Sequence, residues 1–121
     1  MIIHNIKNGY IIINIANYSK TWYNKLGQIH RNKHPAKIFY EDAGFNKSMH
    51  KEWYINGEKI KADYVYRKEW FLYGDLHRIN GPAVIFCDGS GIKNYYISGK
   101  QYNSYDDYKK MRIIYKISGI I

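Results

Sequence analysis

The feature that most constrains this fold is a signature that occurs three times: two aromatic residues, two further residues and then a glycine. Its copies are Trp53-Tyr54-Ile55-Asn56-Gly57, Trp70-Phe71-Leu72-Tyr73-Gly74 and Tyr95-Tyr96-Ile97-Ser98-Gly99. A looser copy runs from Trp22 to Gly27 and contains one extra residue. Self-similarity at so short a period is typical of repeat architectures, in which one hairpin cannot bury its apolar face until neighbours stack on it.

A second block also repeats, because residues 27–39 align with residues 74–86 without a gap, at an offset of 47 residues. Apolar, β-forming runs stand on both sides of Asn80-Gly81-Pro82, which is typical of antiparallel strands joined by a tight connection. We therefore predict an all-β fold: an antiparallel meander of β-hairpin repeats over residues 1–103, forming a single curled sheet. The longest loop is expected at residues 41–50, between two repeats.

The last part of the chain predicts a short α-helix over about residues 104–114. Asn103 or Ser104 is a suitable N-cap, Asp106 and Asp107 lie in the first turn, and basic residues follow. This charge order suits the helix dipole. At 121 residues the chain is expected to form a single domain, 1–121.

Strand alternation gives each sheet face a different set of aromatic residues. The tryptophans, with Ile and Leu, are expected to form the core face, whereas Tyr54, Phe71 and Tyr96 point to the other face. That second face is either another packed layer, with the sheet curling onto its own core, or an exposed contact surface.

Composition narrows the environment and the partner. The formal net charge is +9, which favours attraction to phosphate backbones or to acidic protein surfaces, although solubility alone also explains it. The only cysteine, Cys87, excludes an internal disulfide, fits a reducing compartment and is expected to be buried in an apolar strand. No apolar run approaches the roughly 20 residues of a membrane span. We expect a cytoplasmic protein with no membrane association.

The combined pattern resembles the short hairpin repeats of proteins from large DNA viruses and bacteriophages, and is distantly MORN-like. It consists of Trp-Tyr-x-x-Gly, then His-Arg-x-x-Gly-Pro-Ala, then Asp-Gly, covers most of residues 21–103 and is strongest at 74–89. It departs from MORN repeats proper, because no Tyr-x-Gly-x-Trp occurs. The resemblance implies a meandering antiparallel sheet and an interaction role in the interior of a host cell, and it implies no activity.

The repeated polar pair, His30-Arg31 and His77-Arg78, has two interpretations. The arginines could hold phosphate or carboxylate through the guanidinium fork. The histidines are better explained as structural residues that hydrogen-bond the backbone of the following turn, with Gly81 and Pro82 shaping the connection. The five histidines lack metal-site spacing, and no nucleophile elbow or phosphate-binding glycine loop occurs. We therefore expect no metal, no cofactor and no enzymatic activity.

The sequence thus predicts a non-enzymatic viral or phage interaction module that binds a host or defence protein with an acidic surface. An alternative is a nucleic-acid binding protein, for single strands or RNA, since basic and aromatic residues alternate along the chain. The oligomeric state stays open. The predicted binding residues are Arg31, Lys33, Lys37, Tyr54, Phe71, Arg78 and Tyr96.

Overall fold

The computed structural model describes residues 1–43 and 46–118, and it describes side chains outside residues 41–47. The chain divides into two compact units, unit 1 (Met1–Val65) and unit 2 (Tyr66–Ile121). The described elements are β1 (Ile2–Ile6), β2 (Gly9–Asn14), β3 (Ser19–Asn24), β4 (Lys37–Ala43), β5 (Asn46–Ile55), β6 (Glu58–Asp63), β7 (Arg67–Leu72), β8 (Asp75–Leu76), β9 (Val84–Phe86), β10 (Lys93–Ile97), β11 (Lys100–Tyr102) and α1 (Tyr105–Ile117).

Strand order in space follows the order in the chain within each unit. In unit 1, β1 to β6 pair in sequence, and every pair is antiparallel. In unit 2, β7, β9, β10 and β11 pair in sequence, and β8 pairs with β7 at one end. The predicted fold class, an antiparallel hairpin meander followed by a short C-terminal helix, is confirmed.

Two local expectations were wrong. Strands β4 and β5 pair from Lys37↔Glu52 to Ala43↔Asn46, where a loop was predicted over residues 41–50. The polar composition hid these strands, because ladder hydrogen bonds are made by the backbone and do not require apolar side chains. Residues 44 and 45 of that predicted loop lie outside the described residues. Cys87 is exposed rather than buried, because β9 ends one residue before it.

The repeated signature of two aromatic residues, two further residues and a glycine encodes a strand end and a two-residue turn. Each copy closes on a strand pair that flanks only two residues: Ile55↔Glu58, Leu72↔Asp75 and Ile97↔Lys100. The two central residues both have positive φ, as in type I′ turns: Asn56 (48°) and Gly57 (84°), Tyr73 (49°) and Gly74 (85°), Ser98 (48°) and Gly99 (84°). The twist of such turns matches that of the flanking strands, which explains why the signature repeats.

The extra residue in the looser copy changes the type of loop. Residues 25–27 form a three-residue connection, across which the Asn24 N–H donates to the Gln28 carbonyl at 2.9 Å. Gly27 takes the left-handed conformation, with φ of 78°. This is the bulged loop expected when three residues join two antiparallel strands.

Tyr73→Asn is expected to stabilise the protein by about 0.5–1 kcal/mol. Tyr73 holds a left-handed conformation that disfavours residues with a bulky side chain and that asparagine tolerates. Its side chain is 80% exposed, so little packing is lost. Urea denaturation measures the change, and Ser98→Asn at the equivalent turn position provides a matched variant that should shift stability in the same direction. Destabilisation by both variants would contradict the assignment of these turns.

Candidate interaction surface

In unit 1, an arginine is clamped between a tryptophan ring and a turn. The Arg31 guanidinium carbon lies 4.0 Å from the centroid of the Trp22 ring. Its Nη1 donates a hydrogen bond to the carbonyl of Pro35 at 3.2 Å. A cation over the face of tryptophan is attracted by the ring quadrupole and contributes about 0.5–2 kcal/mol. Arg31 therefore fixes the turn 32–35 onto Trp22, which is itself buried.

Unit 2 contains the same clamp. The Arg78 guanidinium carbon lies 3.8 Å from the centroid of the Trp70 ring, and its Nη1 donates to the carbonyl of Pro82 at 3.2 Å. Two independent sites with the same partners and nearly the same distances show that the repeated His-Arg-x-x-x-Pro segment encodes one structural unit. We call residues 22–57 copy one and residues 70–99 copy two.

The backbone around the two clamps is hydrogen-bonded in the same way. In copy one the bonds run, donor first, from Trp22 to Ala36 (2.8 Å), His30 to Trp22 (3.0 Å), Ala36 to Glu52 (2.9 Å), Arg31 to Tyr54 (3.2 Å) and Gly57 to Ile29 (2.9 Å). In copy two they run from Trp70 to Ala83 (2.9 Å), His77 to Trp70 (3.0 Å), Ala83 to Asn94 (2.9 Å), Arg78 to Tyr96 (3.1 Å) and Gly99 to Leu76 (2.9 Å). Residues 29–31 in copy one and 76–78 in copy two are thus held between their own hairpin and the next one.

The two repeated histidines connect successive hairpins. Nδ1 of His30 accepts a hydrogen bond from the backbone N–H of Asn56, and Nδ1 of His77 accepts one from the backbone N–H of Ser98, both at 2.9 Å. Asn56 and Ser98 are the first residues of type I′ turns. Each imidazole therefore fixes the turn of the next hairpin in place.

Protonation of His77 is expected to destabilise the protein, because a protonated Nδ1 cannot accept the hydrogen bond from Ser98. Burial lowers the pKa of the His77 imidazole, so the unfolded chain binds a proton at a higher pH than the folded chain. This stabilisation is complete above the ordinary histidine pKa of about 6.5 and is lost as the pH falls through the lower, folded pKa.

The free energy of unfolding should therefore fall more steeply between about pH 7 and about pH 5 for the native protein than for His77→Gln. Glutamine offers an amide oxygen as acceptor and does not titrate. Urea denaturation at several pH values measures the slopes, and equal slopes would show that His77 makes no titratable contribution. The ring of Tyr115, 5.2 Å from the His77 ring, also packs against this imidazole.

The tryptophans of copy one lie on one face of unit 1. Thr21 and Glu52 both pair with Lys37, so these three residues share a face. Trp22 and Trp53, one position further along their strands, therefore share the opposite face. The Lys20 ammonium lies 4.8 Å from the Trp22 ring centroid, and the Lys61 ammonium lies 4.8 Å from that of Trp53. We call this surface, formed by Trp22, Trp53, Lys20, Lys61 and Arg31, the tryptophan face.

The opposite face of unit 1 contains a closed polar cluster around the buried carboxylate of Glu52. Tyr64 donates its hydroxyl to Glu52 at 2.7 Å, Tyr54 donates at 3.4 Å, and the Lys59 ammonium lies 3.4 Å away. Burial, together with the charge of Glu52 and the hydrogen bond to it, raises the pKa of Tyr54 to about 12. The hydroxyl of Tyr54 is thus bound within the protein. Buried residues therefore occur on both faces of unit 1, Glu52 on this one and Trp22 on the other.

In unit 2, α1 packs on the part of the corresponding face that contains Tyr95. Glu69 and Asn94 both pair with Val84, so Trp70 and Tyr95, one position further along, share the opposite face. The helix lays two tyrosine rings against Tyr95, with ring centroids of Tyr105 and Tyr108 at 5.4 and 4.7 Å. Ser104 caps the helix by accepting from the N–H of Asp107 at 3.1 Å.

Tyr108 joins α1 to the turn of copy two. Its fully buried side chain donates its hydroxyl to the Arg78 carbonyl at 2.7 Å, lies 3.0 Å from the Gly81 carbonyl, and accepts from the Gly81 N–H at 3.2 Å. An added Cβ at Gly81 would lie 3.3 Å from the Arg78 guanidinium carbon, so the small residue admits the close approach of that group.

The same turn of copy one is built differently. Lys33 takes a left-handed conformation, with φ of 65°, and the His34 N–H donates to the Asn32 carbonyl at 2.8 Å. Asn32, Lys33 and His34 are exposed, and unit 1 contains no helix within its described residues. The turn that α1 covers in unit 2 is therefore a basic, solvent-facing loop in unit 1.

The predicted binding residues do not form one surface. Arg31 lies on the tryptophan face, whereas Lys37 lies over the ring of Phe39 on the opposite face, at 5.2 Å, with Tyr54. In unit 2, Arg78 lies on Trp70, whereas Phe71 and Tyr96 are half-buried and point away from that side. Arg31 and Arg78 both have a structural contact, as have His30, His77, Gly81 and Pro82, and Lys33 is exposed in its turn.

Sequence reasoning missed Lys20, Lys61 and Tyr108. A basic residue two positions before an aromatic one in a strand, as in Lys20-Thr21-Trp22, places both side chains on one face and could have identified the stacked pair. Lys61 faces Trp53 only through the register of β5 with β6, which depends on a bulge after Trp53. Tyr108 contacts a turn 27 residues earlier in the chain, so no local sequence pattern indicates this contact.

Two kinds of feature are absent from the described part of the chain. It contains no group of three or more His, Cys, Asp or Glu side chains arranged for a metal ion. Within the same residues, no helix has the length and hydropathy needed to cross a bilayer.

Together these features define the class of the molecule: a hairpin-repeat β protein in which one Trp-Arg clamp occurs twice, once under a helix and once without one. Comparison of the chain with protein-family models, curated proteins and solved structures found no match. Membership of a viral hairpin-repeat family therefore stays a prediction.

Proposed function

We propose that this protein is a non-enzymatic interaction module that binds an acidic surface of another protein through the tryptophan face of unit 1. The observation that carries the proposal is the contrast between the two copies. In copy two, α1 packs on Tyr95 and on the turn at Arg78 and Gly81, whereas unit 1 has stacked cations and an exposed basic turn on the equivalent side.

The chemistry of this face favours a carboxylate-rich partner. Unit 1 contains ten Lys and Arg residues against five Asp and Glu residues. A guanidinium has five N–H donors, and the hydrogen bond of Arg31 to Pro35 leaves others to receive a carboxylate in a fork. Arg31 and Trp53, which are partly exposed, are of residue types that often dominate the energy of protein interfaces. Because Arg31 is held in place by Trp22, little side-chain entropy is lost when a partner binds.

Affinity capture with matched charge variants tests this function. The tagged full chain is used to capture partners from a lysate, with and without nuclease, at physiological salt and at about 0.5 M salt, several-fold higher. Lys20→Glu combined with Lys33→Glu reverses two exposed charges of unit 1, and Lys93→Glu combined with Lys100→Glu is the control in unit 2. We expect one protein to be retained after nuclease treatment, lost with the first double variant and kept with the control.

Nucleic acid is the competing ligand, because a net charge of +9 also attracts phosphate. A nucleic-acid binder should bind any sequence, lose affinity steeply with salt and release its captured material after nuclease treatment. Titration of a labelled single strand against the native chain measures this directly. Capture that depends on nuclease-sensitive material, or equal loss with both double variants, would contradict the proposed function.

A further inference from the structure

Strand β1 is an unprotected edge of unit 1. It pairs with β2 on one side, and no other strand of the described chain pairs with it. All five of its residues are exposed, including Ile2, Ile3 and Ile6 at 48, 59 and 39%. An exposed apolar edge strand is a template for pairing with another chain, and soluble proteins normally blunt such edges.

The edge strand β11 of unit 2, by contrast, has features that hinder pairing with another chain. Strand β11 has only three residues, begins with the charged Lys100, and lies beside α1. Strand β1 has no charged residue and no proline between Ile2 and Ile6. The devices that prevent edge pairing are thus present at β11 and missing at β1.

The register with β2 identifies which backbone groups of β1 face outward. Residues Lys7 and Asn8 form a two-residue loop, and Ile6↔Gly9 is its closing pair. In such a hairpin the closing pair exchanges both hydrogen bonds, and hydrogen-bonded pairs then alternate along the strand. His4 therefore directs its N–H and C=O toward β2, whereas Ile3 and Asn5 direct theirs away from the sheet.

We propose that β1 pairs with β1 of a second copy of this chain, antiparallel and about a two-fold axis at His4. In this register Ile3 exchanges hydrogen bonds with Asn5 of the second copy, and Ile2 lies opposite Ile6 of the second copy. The strand is self-complementary, because isoleucine stands two positions on either side of His4. Isologous pairing of one patch with itself is the commonest way in which soluble proteins form dimers. The pairing goes beyond the proposed function, since it does not use the tryptophan face.

A small interface of this kind should give a weak dimer, with a dissociation constant on the order of 100 µM. Each copy has a net charge of +9, so two copies repel each other. Added salt screens this repulsion, so the dimer should become tighter as the salt concentration rises. This salt dependence is opposite to that expected for nucleic-acid binding.

Sedimentation equilibrium of the full chain tests the proposal. The native chain should be monomeric at about 5 µM and largely dimeric at about 1 mM, as the dissociation constant requires. Asn5→Pro removes an outward N–H without removing a bond to β2, so it should keep the fold and abolish the dimer. Asn5→Ala is the matched control and should dimerise like the native chain.

A second variant separates loss of the dimer from loss of the fold. Ile3→Lys places a charge on the edge, should leave the thermal unfolding midpoint nearly unchanged and should also give a monomer. In a mixed sample of labelled and unlabelled chains, we expect an intermolecular proton contact between Ile2 and Ile6. A native chain that stays monomeric throughout, or a dimer that survives both Asn5→Pro and Ile3→Lys, would overturn the proposal.

Discussion

Tyr108→Ala is expected to lower the free energy of unfolding by about 3–5 kcal/mol. Tyr108 is the largest fully buried side chain in the described structure, and its ring packs 4.7 Å from that of Tyr95. The variant loses this packing, leaves a cavity under α1, and removes the partner of the turn at Arg78 and Gly81. Urea denaturation followed by far-UV circular dichroism should show the loss together with reduced helix content.

Tyr108→Phe separates the hydroxyl from the ring. It keeps the packing and removes the bonds to the Arg78 carbonyl and the Gly81 N–H, so we expect a loss of about 1–3 kcal/mol. Tyr105→Phe is the control, because Tyr105 packs on the same ring but is half exposed, and its loss should be below about 0.5 kcal/mol. Equal effects of the two Tyr→Phe variants would show that the Tyr108 hydroxyl does not hold the turn.

Gly9→Ala is expected to lower the free energy of unfolding by about 3 kcal/mol, at the upper end of the range for overpacking. Gly9 pairs with Asn24 at the end of the β2–β3 ladder. A Cβ at Gly9 would overlap the backbone carbonyl of Tyr23, and a backbone group cannot turn aside as a flexible side chain can. The two strands would have to separate at this point, which would also disturb the stacked rings of Tyr10 and Tyr23.

Gly89→Ala is the matched control for this effect. Gly89 has positive φ, at 90°, and an added Cβ would meet no other atom within 4 Å, so only backbone strain of about 1–2 kcal/mol is expected. Thermal and urea denaturation measure the free energy of unfolding of both variants. The loss for Gly9→Ala reports the steric overlap, and the loss for Gly89→Ala reports the backbone strain alone. If Gly9→Ala proved no worse than Gly89→Ala, the close approach of β2 and β3 at Tyr23 would be contradicted.

The predictions from sequence succeeded where the determining physics is local. The two-residue turns at Asn56-Gly57, Tyr73-Gly74 and Ser98-Gly99 follow from short-range backbone preferences, so the repeated signature located the hairpins. The helix begins after Ser104 as its capping pattern indicates and ends at Ile117, three residues beyond the predicted end. These elements are specified within a few residues of sequence.

The assignment of faces could not be obtained in the same way. Alternation correctly separates Trp53 from Tyr54, but it does not say which side is covered. Glu52 is buried because Tyr64, 12 residues later in the chain, donates its hydroxyl to the carboxylate. Such contacts depend on strand register and on the next hairpin, and a charged residue in a strand gives no sign of them. The roles of Arg31 and Arg78 were left open for the same reason.

The two copies also show that one repeated clamp can be combined with two different turns. The clamp itself is preserved, with guanidinium to ring distances of 4.0 Å at Arg31 and 3.8 Å at Arg78. The difference lies in the turn, where Lys33 and His34 in copy one occupy the positions of Asn80 and Gly81 in copy two. The Gly81 N–H donates to the hydroxyl of Tyr108, whereas copy one closes its turn with a backbone bond from His34 to Asn32.

Double-mutant cycles on the two clamps test most directly whether one structural unit occurs twice. The cycles combine Arg31→Ala with Trp22→Leu, and Arg78→Ala with Trp70→Leu, and measure the free energy of unfolding of each variant. We expect a favourable coupling of about 0.5–2 kcal/mol in each cycle, equal within about 0.5 kcal/mol. A coupling near zero in either cycle would contradict the duplicated clamp.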